Sequence, residues 1–218
     1  MNLQEYQKHF YQELRSGRCS VYSGQFIGSV CESLIEIFSM SYDRLGIEAF
    51  ENLANAFAHS VSFLDWSRFQ IGNEFPKWVE LNSELTSDVI ELLCLDLAIH
   101  HAEISGEIPK INESALVSWL EGASASVQIQ PDCQSLLTAT GATLVGMSTR
   151  NTAHFVNLNQ DELELLKSLK DSNTYLTWIA SISTQSTLRQ EELLANFLQK
   201  LIAPGWLICS ADETDAEG

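Results

Sequence analysis

Ala153-His154-Phe155-Val156-Asn157, with Asn159-Gln160-Asp161-Glu162 close behind it, opens the stretch whose reading decides the fold. The first five residues alternate small or polar with apolar, the period of a strand with one buried face. Asn159, with Glu162 three positions on, has the form of an N-cap pair that satisfies the first free amides of a new helix. That helix carries Leu163, Leu166 and Leu169, and a second, shorter one carries Tyr175, Trp178, Ile179 and Ile182. A third opens at Thr187 with Gln190 and sets Leu194, Phe197, Leu198, Leu201 and Ile202 on one face. Pro204-Gly205 stops it, and Trp206-Leu207-Ile208 returns as a closing strand. Upstream, Cys133 to Thr140 and Thr143 to Met147 alternate with period two around Gly141, which reads as a hairpin. The expected unit is a small winged-helix-like domain, a three-stranded sheet leading into three helices.

Residues 1–104 follow the helical period instead. Leu3, Tyr6, Phe10, Tyr11 and Leu14 form an amphipathic first helix, and Phe26, Ile27, Val30, Leu34, Ile35 and Phe38 form the stripe of a second. Gly46 separates that stripe from Ile47, Phe50, Leu53, Ala54 and Phe57. A looser segment from Trp66 to Trp78 contains Phe75-Pro76, where the proline fixes a turn or starts a helix. A last helix runs from Thr86 to Glu103, and short connections make the set a bundle. The expected class is α+β: a helical bundle over 1–104, a linker with a short helix over 105–124, the winged-helix-like domain over 125–210, and a disordered acidic tail over 211–218.

Charge narrows the function. The chain of 218 residues carries a formal charge of −17, spread over both halves. Winged-helix modules read nucleic acid or hold a peptide, and nucleic-acid binding draws on phosphate neutralisation by a basic surface. From Ala153 onward only Lys167, Lys170, Arg189 and Lys200 are basic, with two of them on the third helix. A peptide is therefore the expected partner and nucleic acid is not; a winged-helix DNA-binding transcription regulator is the alternative. No run is apolar and long enough for a signal peptide core or a membrane span, and five irregularly spaced cysteines imply no disulfide framework. A cytoplasmic protein with no membrane partner is the expectation.

Motifs for chemistry are sparse. His100-His101 with Asp96 and Glu103 is the single His/carboxylate cluster, and Asp96 and His100 share a helical face, which suits a metal or an acid–base pair. Two ligands are too few, and a histidine near a helix C-terminus is favoured by the dipole alone. Cys31 and Cys94 lie inside amphipathic helices, where a thiol packs as a small hydrophobe. No phosphate loop, dinucleotide fingerprint, nucleophile elbow or zinc-protease helix is present. These observations predict no catalytic residue and no metal or other cofactor in this chain, and disfavour a small cysteine or metal enzyme.

Val21-Tyr22 with Leu34 and Phe38, then Arg44-Leu45-Gly46-Ile47-Glu48-Ala49-Phe50 and Gly72-Asn73-Glu74-Phe75-Pro76-Lys77-Trp78, resemble the helical N-terminal domain of the HvfC-like family. Leu158-Asn159 before the helices, and Phe197-Leu198 with Gly205-Trp206-Leu207-Ile208 after them, resemble the winged-helix modules that recognise leader peptides in ribosomally made, modified peptide pathways. The chain departs from the HvfC-like pattern at Ser23-Gly24, where the family carries Arg-Asn, and at Ser39, where it often carries proline. Length and acidity are most similar to the partner subunits of methanobactin biosynthesis. The resemblance implies a heterodimer with an iron-dependent oxidase of the MbnB type, which holds the iron, and capture of a precursor leader whose core cysteines become oxazolone and thioamide groups. It also implies that the strand at His154, Phe155 and Val156 is the open edge on which the leader lies. Leu193, Leu194 and Phe197 on the third helix are then the nearest apolar contacts, and Lys200 would meet an acidic leader residue. Leu92, Leu93, Leu95 and Leu97 exceed one helical face and suggest that the helical half docks on the oxidase.

Overall fold

The computed structural model describes residues 20–61, 71–122, 125–138, 140–170, 175–182 and 188–211. The helix expected over Leu3 to Leu14, together with Cys19, Trp66, Thr187 and the acidic residues from Asp212 on, lies outside them. The chain forms two compact units, Met1–Leu97 and Ala98–Gly218, and is α+β. The division falls inside the last helix of the N-terminal half rather than after it.

The first unit is helical. Its elements are α1 (Ser20–Ile37), α2 (Ser39–Leu45), α3 (Ile47–Ser60), α4 (Ile71–Asn82) and the first part of α5 (Ser87–Ser105). Val30, Leu34, Phe38, Phe50, Ala54, Phe57, Phe75, Val79 and Leu93 are its core, so the expected stripes face inward except at Ile47, which stands exposed at the start of α3. Gly46 breaks α2 from α3 at φ +82°, a left-handed conformation that glycine adopts without steric cost. Phe75 is the hub, its ring within 5.1 to 5.8 Å of the rings of Phe38, Phe57 and Phe50. Pro76 next to it lies inside α4 and neither makes a turn nor opens the helix. Its missing N–H leaves the carbonyl of Gly72 without an i+4 donor. A side chain at buried Gly72 would meet Ile37 Cδ1 and Leu97 Cδ1 at 3.2 Å, so this turn of α4 is closely packed whatever its hydrogen bonding.

Asp96 is a structural residue. Its carboxylate is buried and accepts from the backbone N–H groups of Met40 (3.2 Å) and Ser41 (2.8 Å) and from Ser41 Oγ (2.7 Å). The N-cap position of α2 is Phe38, which has no side-chain acceptor, so Asp96 supplies the cap from a distant helix. This carboxyl thus has a capping role that its i, i+4 spacing from His100 does not suggest. Burial pushes its pKa above the usual carboxylate value, against the lowering effect of the Ser41 and Met40 hydrogen bonds.

Two expectations follow for this unit. Phe75→Ala should destabilise it by about 3–5 kcal/mol in a urea titration, the range for emptying a buried aromatic site. Asp96→Ala should cost about 1–3 kcal/mol by orphaning three donors, and Asp96→Asn less, because the amide oxygen still accepts. Since the folded carboxyl holds its proton more tightly than the unfolded one, the stability of wild type relative to Asp96→Asn should be greatest at acid pH. It should fall as pH rises through the raised folded value.

The second unit holds the end of α5, α6 (Glu113–Leu120), β1 (Ala125–Ile129), β2 (Gln134–Thr138), β3 (Gly141–Met147), β4 (Ala153–Asn159), α7 (Gln160–Lys170), α8 (Tyr175–Ile182), α9 (Leu188–Ile202) and β5 (Leu207–Ala211). The expected hairpin and third strand form an antiparallel sheet in the order β2-β3-β4. The closing strand does not join it. β5 pairs instead with β1, a strand absent from the sequence reading, in a separate two-stranded sheet. Only Val127 and Ile129 of β1 carry long apolar side chains, too short an alternation to stand out. Helix α6, expected as part of a linker, belongs to the core: Asn112 caps it through a 3.1 Å bond from the Ala115 N–H, and Ala115, Leu116 and Trp119 are buried.

The core of this unit is built on tryptophan. Trp119, Trp178 and Trp206 are fully buried, with Trp178 6.1 Å from both Trp119 and Phe197. Trp206 donates through Nε1 to the carbonyl of Met147 (2.8 Å), which ties the end of β3 to the turn after α9. β3 is buried on both faces, Ala142 and Leu144 on one and Val145 and Met147 on the other, so it lacks the in–out alternation of a one-sided strand. A Cβ on Gly106 would come within 2.5 Å of Met147 Cγ, which places the chain after α5 directly on that second face.

Candidate functional site

The junction of β4 and α7 forms as its residues predict. Asn159 Oδ1 accepts from the Glu162 N–H and Glu162 Oε2 accepts from the Asn159 N–H, both at 2.9 Å, a reciprocal capping box. The Glu162 side chain is only 3% exposed. A carboxylate so buried requires a counter-charge, and Lys200 of α9 provides it, with Nζ 2.7 and 2.8 Å from the two oxygens. The same ammonium donates to the carbonyl of Asn157 at 3.0 Å. Three acceptors surround Nζ, one for each of its N–H bonds. Lys200 therefore has no donor left over for an acidic side chain of a partner, the role the sequence suggests for it.

These bonds also orient β4. In an antiparallel ladder, alternate residues turn their N–H and C=O groups toward the partner strand or away from it. The Asn157 carbonyl points to Lys200 and the Asn159 N–H to Glu162, while the Thr152 carbonyl points inward to the Ser148 N–H (2.9 Å). Ala153, Phe155, Asn157 and Asn159 thus present their backbone groups outward, and His154, Val156 and Leu158 pair with β3. β4 is an edge of its sheet, with β2 the other edge. At the β4 edge the outward groups near the α7 end are already occupied, and those of Ala153 and Phe155 face the open side.

A groove of about 480 Å³ runs between β4 and α9. Val156, Leu193, Ala203 and Pro204 supply its apolar lining, and His154, Asn159, Asn196 and Gln199 its polar lining, with the Glu162–Lys200 pair at one side. Of the residues expected to contact a peptide, His154, Val156, Leu193 and Lys200 line this groove. Phe155 does not, because it projects from the opposite face of the sheet, where it is 41% exposed. Phe197 is fully buried and Leu194 is half-buried against the same core, so both face inward. Asn196, Gln199 and Ala203 escaped the sequence reading. Asn196 and Gln199 stand at i+3 and i+6 from Leu193, where a helical wheel of α9 drawn for polar residues shows them, and Ala203 follows just past the helix end.

The other candidates do not assemble. His100 and His101 lie with ring centres 6.5 Å apart. Among the described residues no three His, Cys, Asp or Glu side chains converge. Burial pushes the Cys133 thiol up to about 12 and Cys209 to about 11, and raises Cys31 and Cys94 as well, with nearby glutamates adding to the rise for those two. A thiol so raised supplies almost no thiolate near neutral pH. Among the described residues no helix is long and apolar enough to cross a membrane. Comparison with protein-family models finds no match, and comparison with curated proteins finds none.

Two outcomes are expected here. In Lys200→Met, Glu162 is left as a buried charge without its partner; because Lys200 is itself about a third exposed, solvent takes back part of that cost. We expect about 1–3 kcal/mol of lost stability, with the double variant Glu162→Gln/Lys200→Met recovering much of it in chemical denaturation. Ellman titration of the native chain at pH 7 should leave Cys133 and Cys209 unmodified until denaturant is added.

Proposed function

We propose that this chain is a non-catalytic partner subunit of a peptide-modifying oxidase, and that its second unit captures the leader of a ribosomally made precursor as an added strand on β4. The observation that carries this reading is the edge strand β4 lying beside a groove lined by α9. Such an edge binds extended peptide through main-chain hydrogen bonds, and an adjoining groove adds side-chain selectivity. The β2-β3-β4 sheet followed by α7, α8 and α9 supports a winged-helix-like leader-recognition module, with β1, β5 and α6 as additions around it. Together with the motif resemblance, it favours an HvfC-like subunit of the MbnC type, paired with an MbnB-like iron-dependent oxidase that holds the iron. The peptide's cysteines would then become oxazolone and thioamide groups on the partner, in keeping with the raised pKa of the thiols among the described residues. A transcription regulator draws little support from α9: of its two basic residues, Arg189 and Lys200, the second is committed to Glu162.

The orientation of β4 selects the variant that tests this. Phe155→Pro removes an outward N–H and leaves the ladder to β3, whereas Val156→Pro would break that ladder. With a precursor and an iron-dependent oxidase encoded beside this chain, wild type should bind the synthetic leader, and Phe155→Pro should bind it at least tenfold more weakly with an unchanged circular dichroism spectrum. Co-expression should yield a stable heterodimer. Equal leader affinity in both forms, or absence of any heterodimer, would overturn the reading.

A further inference from the structure

The Glu162–Lys200 pair does more than neutralise a buried carboxylate. The Asn157 carbonyl is the last outward acceptor of β4, and Lys200 Nζ stands 3.0 Å from it, the distance at which the N–H of an added strand would sit. The next outward donor, the Asn159 N–H, is taken by Glu162 Oε2. Both main-chain groups through which pairing would continue toward α7 are therefore occupied from within the chain. The pairing sites left are Ala153, Phe155 and the Asn157 N–H. The groove alongside holds one cation and one anion already bound to each other, and the rest of its lining is aliphatic, amide or imidazole.

We propose that Lys200 and Glu162 act as a register stop: they end the pairing of a docked strand at Asn157 and restrict the groove to an uncharged, apolar side chain of that strand. The inference rests on the reading of β4 as a docking edge and adds where the docked strand ends and what it carries. A closed end matters because an edge strand pairs with little regard to sequence and lets a peptide slide by two residues at a time. With the end closed, only one frame puts the apolar side chain between Val156, Leu193 and Pro204 while keeping every remaining edge bond. Lys200 is thus a positioning residue: its effect on selectivity runs through the Asn157 carbonyl and Glu162, and it makes no ion pair with the ligand.

The test uses the full chain and a phage-displayed library of random twelve-residue peptides. Enriched peptides should share an apolar position with uncharged neighbours, and placing Glu at that position should weaken binding at least tenfold. Hydrogen exchange should slow at the Phe155 and Asn157 amides. Single N-methylation along a selected peptide should cost about tenfold at the amides that meet the Ala153 and Phe155 carbonyls and little at the next one, opposite Asn157. In the Glu162→Gln/Lys200→Met variant, which keeps a capping amide at position 162, N-methylation opposite Asn157 should become costly as well. Penalties that extend past Phe155 in wild type would overturn the stop. Enrichment of acidic residues that is lost on Lys200→Met would overturn the neutral groove. Peptides that bind without slowing exchange in β4, or a library that yields no binder, would remove the docking edge and this inference with it.

Discussion

The second unit turns on one buried carboxylate. Glu162 is required at the start of α7 to close the capping box with Asn159, and that position lies beneath α9, away from water. An ionised carboxylate there is tolerable only with a counter-charge, so α9 must bring Lys200 across to it. The same contact reaches the Asn157 backbone and holds α9 alongside β4. Further toward the start of α9, Asn196 and Leu193 border the space that forms the groove. The groove is a consequence of how a helix start was satisfied.

The first unit solves a similar problem with the opposite means. Helix α2 begins without a local cap, and Asp96 supplies one from α5 across a long sequence separation. Around it the packing is aromatic, with Phe38, Phe50 and Phe57 arranged about Phe75 in tilted and edge-on contacts. The carboxylate fixes where α2 starts, and the rings fix how α1, α3 and α4 pack. Asp96, the carboxylate that the sequence offers for chemistry in this region, serves as that cap.

The chemistry of the chain is consistent with this economy. The described thiols are all shifted upward, and the two in the second unit most of all. Backbone groups are a different matter: an edge strand keeps hydrogen-bonding capacity that no titration can remove. Where side chains are committed to folding, the main chain of β4 remains the part of the second unit best able to meet another molecule.

Much of this was legible in the residues alone. Local patterns determined the capping box at Asn159 and Glu162, the hairpin about Gly141, the break at Gly46 and the inward faces of the helices, because each depends on neighbours within a few positions. The sequence also placed the peptide-contact candidates on β4 and α9. Only the tertiary structure decided which of them line the groove. Phe155 and Val156 are adjacent yet face opposite sides of the sheet, and of Leu193 and Leu194, which both pack against the core, only Leu193 also lines the groove. The partner of β5, the site that Asp96 caps and the three acceptors of Lys200 were likewise beyond the sequence. Each joins residues far apart in the chain, and spacing along a chain carries no information about which distant donor will meet which acceptor once the core has closed.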